Sequence, residues 1–243
     1  MNITPETQVS EIVVHNPAAT RVFHRHGIDF CCGGKRPLSE VCAERRLSVD
    51  EIRREIEATE PQDAEEKDWS QDPLSAIVEH ILTRYHAPLQ EELPRLSEMA
   101  AKVLRAHGER FPGMIPPLAA RLSALQAELE SHMMKEERVL FPFVVALEQA
   151  VTKGGPVPRP PFGSVEGPIT AMEAEHEEAG RLLSEMRSLT RGYELPEGAC
   201  NTFRALFHGL AQLEKEMHLH IHLENNVLFP RAAEMERRMA IHA

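Results

Sequence analysis

Apolar residues recur every three or four positions through most of the chain, and no stretch of any length alternates apolar with polar residues. That period predicts helices and no sheet. Four long helical patterns cover about 73–107, 116–150, 167–191 and 197–237. Asp72-Pro73 opens the first of them as an N-cap followed by proline at the first helical position. The run from Lys153 through Gly154, Gly155 and Pro156 to Pro161 reads as a loop between the second and third. The first 59 residues hold only short helical pieces. Val9, Ile12 and Val13 share one face, Pro17 opens a piece that Gly27 ends, and Pro37 starts another. Ser48 and Glu51 form a capping box before Ile52 and Ile56. The segment 60–72 is polar and acidic and reads as a linker. The pattern thus predicts an all-α chain: a small helical domain over 1–59, then an up-down four-helix bundle over 73–243.

The seams of the bundle carry the first chemical signal. The second helix presents Leu118, Leu122, Leu125, Leu129, His132, Glu136, Val139, Phe143 and Leu147 at steps of three or four. The fourth presents Phe203, Leu206, Leu210, Leu213, Met217, His220, Glu224 and Val227. Each seam therefore has a histidine and a glutamate one helical turn apart, on one face. A carboxylate on a core seam is costly unless it is paired or binds a metal. The two segments also match each other. The frame His-x3-Glu-x2-Val-Leu-Phe-Pro starts at His132 and again at His220. Repetition of a helix pair is a natural way to set equivalent ligands around one centre.

The third helix offers His176 on the seam Ile169, Met172, His176, Leu183. The first offers His86 on the seam Val78, Leu82, His86, Leu89, Leu93, Leu96, and leaves His80 off it as a surface or outer residue. His218 and His222 flank His220 on faces that point to solvent. The candidate set is four imidazoles and two carboxylates: His86, His132, Glu136, His176, His220 and Glu224. The competing reading of these residues is a buried polar network without metal. With both carboxylates bridging and an oxo or hydroxo bridge added, two irons would each keep about one open position. Manganese suits the same donors, and zinc competes. Glu128, one turn before His132, and Glu175, beside His176, are candidates for carboxylates behind the ligands, or are solvated surface residues.

Composition narrows the function classes. Of 243 residues 42% are hydrophobic, which is enough for a core. The formal charge of −11 argues against sequence-independent nucleic-acid binding, which depends on lysine and arginine. No apolar run is long enough to span a bilayer. The first residues lack a basic-then-apolar signal pattern, so a cytoplasmic protein is expected. In that reducing compartment the four cysteines read as thiols or ligands rather than disulfides. Cys31 and Cys32 are adjacent beside Gly33-Gly34, which predicts a flexible loop with a reactive thiol pair, and Lys35 and Arg36 are placed to lower a thiol pKa. The alternative is a pair of small buried residues. Cys42 and Cys200 suggest no role.

Five motifs in order, Asp29-Phe30-Cys31-Cys32-Gly33-Gly34-Lys35, Arg84-Tyr85-His86, Ser131-His132-Met133-Met134-Lys135-Glu136-Glu137, Glu175-His176-Glu177-Glu178-Ala179-Gly180 and His220 through Pro230, resemble the iron–sulfur cluster repair di-iron proteins. Those pair a small Cys-Cys domain with a hemerythrin-like bundle, and the resemblance covers nearly the whole chain. It implies the same six iron ligands and a role in restoring iron–sulfur clusters damaged by nitric oxide or peroxide. Damaged or apo iron–sulfur proteins would be the partners, and a homodimer is compatible with the resemblance. Unlike oxygen-carrying hemerythrins, the chain has Gly180 and Met172 one turn either side of His176, not a second histidine. Two other classes compete: a hemerythrin-like sensor or store for nitric oxide or oxygen, and a di-iron nitric oxide reductase or peroxidase. An iron-transfer role is expected over a turnover enzyme.

Overall fold

A computed structural model describes residues 1–59, 67–155 and 162–242. Most of the expected linker (60–66), and the proline-rich part of the expected loop (156–161), lie outside the described residues. By backbone contact the chain divides into two compact units, Val78–Met217 and Met1–Ile77 together with His218–Ala243.

The first unit is built from α1 (Val9–His15), α2 (Ala19–Arg25), α3 (Leu38–Arg45) and α4 (Val49–Glu57), with the start of a longer helix and the C-terminal segment. The expected punctuation is present. Pro37 caps α3, Gly27 turns the chain at φ 64° after α2, and Ser48 Oγ accepts from Glu51 N–H at the start of α4. A positive φ costs glycine little, which is why the stop falls there. Val9, Ile12, Val22, Phe23, Phe30, Leu38, Ile52 and Ile56 are buried, with the Phe23 and Phe30 rings stacked at 6.3 Å.

The long helices follow. α5 (Leu74–Ile81) and α6 (Ala87–His107) form one rod, as do α7 (Ile115–Lys135) and α8 (Phe141–Lys153). α9 (Glu166–Leu189) is uninterrupted, and α10 (Asn201–Leu223) leads into α11 (Phe229–His242). In the second unit α7 packs between α6 and α9. Arg187 donates to Glu214 at 2.8 Å and Arg84 pairs with Glu216 at 2.8 Å, both ties reaching α10.

Three rods carry a feature the periodicity does not show. Leu82–His86, Glu136–Leu140 and Glu224–Leu228 are widened turns with five-residue hydrogen bonds, from Ala87 N–H to Leu82, Phe141 N–H to Glu136 and Phe229 N–H to Glu224. Two residues past the end of each comes a proline: Pro88, Pro142 and Pro230. Proline has no N–H to donate, and its ring crowds the carbonyl four residues back, here Arg84, Arg138 and Asn226. A widened turn relieves that crowding and is frequent at functional sites. Proline alone does not dictate it, because Pro94 sits inside α6 without one.

The extra residue shifts the seams. Leu140 is buried where Val139 was expected, and Val139 is 46% exposed. In the first rod Ile77 and Ile81 are fully buried ahead of His86, a step of five, while Leu82 is only half-buried.

Candidate metal centre

In the second unit, His86 stands on the first widened turn, His132 near the end of α7, Glu136 at the start of the next widened turn, and His176 midway along α9. All four are buried to 2% exposure or less. Their inner atoms converge. Glu136 Oε2 is 3.4 Å from His86 Nε2 and 3.2 Å from His132 Nε2, and His132 Nε2 is 3.0 Å from His176 Nε2. One donor atom from each of His132, Glu136 and His176 lies within 4.8 Å of the others. This is a His/Glu cluster able to bind a metal.

The outer ring nitrogens are held by carboxylates. His86 Nδ1 lies 3.0 Å from Glu137 Oε1, and His132 Nδ1 lies 2.9 Å from Glu175 Oε2. Such a carboxylate fixes the tautomer, so that Nδ1 carries the proton and Nε2 presents a lone pair inward. Burial works to raise the Glu175 carboxyl, but hydrogen bonds from Lys135 and His132 outweigh it and hold it below the ordinary carboxylate value. Glu175 therefore stays ionised behind its histidine. The His86 ring also stacks on Phe141 at 5.6 Å, which limits its rotation. Imidazole nitrogens with a carboxylate oxygen and no thiolate are the donors that suit iron. The Nε2 atoms of His132 and His176 face each other at 3.0 Å, a separation open to an N–H···N hydrogen bond or to a shared cation.

In the first unit, His220 and Glu224 form a second buried pair, Nε2 to Oε1 at 3.0 Å. Glu128 is exposed on α7, away from any such arrangement. His80 is half-buried with its ring edge-on to Tyr85 at 5.6 Å. Glu137 escaped the sequence reading. Its signal was the second glutamate beside Glu136, which lies in the widened turn with its Oε1 3.0 Å from His86 Nδ1.

The cysteine loop differs from the expectation in two ways. It is pinned rather than flexible: Asp29 Oδ1 accepts from Cys31 N–H at 2.9 Å and Cys32 N–H at 3.1 Å, and Oδ2 accepts from Gly33 N–H at 2.9 Å. A Cβ on Gly34 would meet the Phe30 carbonyl at 2.5 Å, so only glycine lets the loop close this tightly. The basic neighbours do not acidify Cys31. Arg36 is engaged by Glu40 and Glu44, and the Cys31 thiol is pushed up by its hydrogen bond to Cys32, by burial and by Asp29. His222 is also corrected: it is 7% exposed, not on a solvent face, with Nδ1 donating to the Phe30 carbonyl at 3.3 Å. Asn226 donates to the Cys31 carbonyl at 3.3 Å. Burial pushes His222 down to about 4 despite the Phe30 bond. Cys42 is buried and Cys200 exposed.

With this geometry in hand, comparison with known proteins gives two family matches. Residues 78–232 match the hemerythrin HHE cation binding domain, and residues 5–60 match a Domain of Unknown function (DUF542). The iron-sulfur cluster repair protein YtfE of Yersinia pestis (strain Pestoides F) is 42% identical over 216 residues, 89% of this chain and 91% of that one. The protein of the same name from Yersinia pseudotuberculosis serotype O:1b (strain IP 31758) is 41% identical over the same shares. Among the described residues no helix is long and apolar enough to cross a membrane.

Proposed function

The chain belongs to the hemerythrin HHE cation binding domain family, and from that premise we propose that it restores damaged iron–sulfur clusters using two irons held by His86, His132, Glu136, His176, His220 and Glu224. The buried convergence of His86, His132, Glu136 and His176 carries the proposal. The repeated His-x3-Glu frame supports adding His220 and Glu224, whose own pair is equally buried. The name borne by relatives that match 89% of the chain supports the cluster-repair role.

Bound there, iron supplies a redox-active centre with an exchangeable position for nitric oxide or peroxide. The protein's own residues do the rest. Glu137 and Glu175 hold the outer nitrogens of His86 and His132, so the inner nitrogens stay aimed without reorganisation. Glu136 and Glu224 bring negative charge into an otherwise apolar seam, which favours a cation over water. Cys31 and Cys32 assist delivery to a damaged or apo iron–sulfur protein. The reading places the protein in the reducing cytoplasm, where thiols persist.

Two measurements test this together. Purified protein should carry two irons per chain, and Glu136→Leu should lose them while circular dichroism stays helical, because an apolar side chain replaces a buried charge. One zinc per chain in fresh protein overturns the two-iron reading. Replacing both Cys31 and Cys32 by serine should leave iron content unchanged and abolish reactivation of a nitric-oxide-damaged iron–sulfur enzyme. Full reactivation by that double variant would refute the assistance of Cys31 and Cys32 in delivery.

A further inference from the structure

The two sulfurs of the Cys31-Cys32 pair stand in different surroundings. Cys31 is 4% exposed, and its Sγ donates to Asp29 Oδ1 at 3.2 Å. Cys32 is half-exposed, with its Sγ 3.9 Å from that of Cys31. The peptide between them is gripped on both sides. Asp29 takes the amides of Cys31, Cys32 and Gly33, and Asn226 donates to the Cys31 carbonyl. His222 donates to the carbonyl of Phe30, one residue before. With its amide and its carbonyl both held, the Cys31–Cys32 peptide is kept in one orientation.

We propose that the pair is asymmetric: Cys32 presents the sulfur that meets a soft electrophile, and Asp29 is a positioning residue that keeps the Cys31 S–H donated inward as its partner. The proposal deepens the thiol role suggested above and rests on it for its biological purpose, but the asymmetry itself is a property of the loop. Its physical basis is electrostatic as well as steric. A thiolate at Cys31 would lose its hydrogen bond to the Cys32 sulfur, lie buried, and face the Asp29 carboxylate, and the thiol is pushed up by all three. Since the thiolate is the nucleophile, Cys31 is held back while Cys32 is offered. The titratable and charged groups around the loop are Asp29, Lys35 and Arg36 within it, Glu40 and Glu44 of α3, His24 of α2, and His218 and His222 of α10.

Limited iodoacetamide labelling of the full chain, read by peptide fragmentation, tests this. A sulfur–carbon bond forms, iodide leaves with the electron pair of the carbon–iodine bond, and the thiol proton passes to solvent. Exposed Cys200 and buried Cys42 serve as internal fast and slow references. Cys32 should label at least about tenfold faster than Cys31, the ratio that a single unit of thiol pKa produces. In Asp29→Asn the midpoint of the Cys31 labelling profile should move to lower pH while Cys31 stays slower than Cys200, which a loop that had simply opened would not give. Should that variant expose Cys42, and so have lost its fold, Cys32→Ser takes its place, and Cys31 should stay slow in it. Equal rates at the two cysteines in the native chain overturn the proposal. So does an unmoved Cys31 midpoint in folded Asp29→Asn, or a Cys31 in Cys32→Ser as fast as Cys200. None of these outcomes depends on iron content or cluster reactivation, so the asymmetry and the repair reading fail separately.

Discussion

The frame that begins at His132 and the one that begins at His220 share a histidine, a glutamate, a widened turn and a closing proline, yet they sit in different environments. Around the first, Met134 and Val139 are exposed and Lys135 and Arg138 carry charge. Around the second, the matching positions His222 and Val227 are buried, and the charged residues are replaced by Leu223 and Asn226. Within its unit that second turn meets α1 and the Phe30-Cys31 backbone. The charges of the first frame instead serve its buried histidines: Glu137 and, through Lys135, Glu175 are arranged behind them. The shared residues carry the widened turn and the buried His–Glu pair. The unshared ones record what each copy is packed against, so a repeat can keep its chemistry while its outer face changes from solvent to core.

A charge on the outer face separates the two copies most sharply. Val227→Asp buries an unpaired carboxylate and should destabilise the chain by about 3 kcal/mol or more. Val139→Asp, at the matching exposed position, should stay within about 0.5 kcal/mol. Urea unfolding of both variants measures this, and equal losses would erase the distinction between the two environments.

The carboxylates behind the first copy should matter next. Glu175→Gln or Glu137→Gln removes the anion that orients His132 or His86 and should weaken metal affinity roughly 10- to 100-fold. Glu128→Gln, on an exposed face, should change nothing. Competition with a chelator reads all three, and unaltered affinity in Glu175→Gln would mean that packing alone aims His132.

The smallest effect concerns pH and belongs to the second copy. His222 titrates at about 4 in the folded chain, below the value near 6.5 expected when unfolded. Between those values the unfolded chain holds a proton that the folded chain does not, so stability must fall as pH falls through that window. The loss from pH 7 to 5 should be about 1 to 2 kcal/mol in metal-free protein. His222→Asn should flatten that slope, since asparagine does not titrate. The first copy has Met134 there and contributes no such term. A slope unchanged by the substitution would assign the acid sensitivity to other groups.

Much of this protein follows from the order of its residues alone. The absence of alternation and the three-to-four spacing determine helices, caps and glycine stops mark their ends, and a glutamate one turn from a histidine on a leucine seam is legible as chemistry because a core carboxylate has few other reasons to be there. Three things needed the tertiary structure. The seams slip by a residue at Val139 and Leu82, since a period assumes a uniform helix and the widened turns before Pro88 and Pro142 break it. His222 leaves its expected solvent face because residues 192 positions earlier cover it, a contact no local spacing encodes. The inward hold on Cys31 arises from a carboxylate two residues away that folds back over the amides, where sequence proximity had pointed to Lys35 and Arg36. Side-chain period is a property of one element and survives in the sequence; exposure and electrostatic partners are properties of packing, and they appear only when distant segments meet.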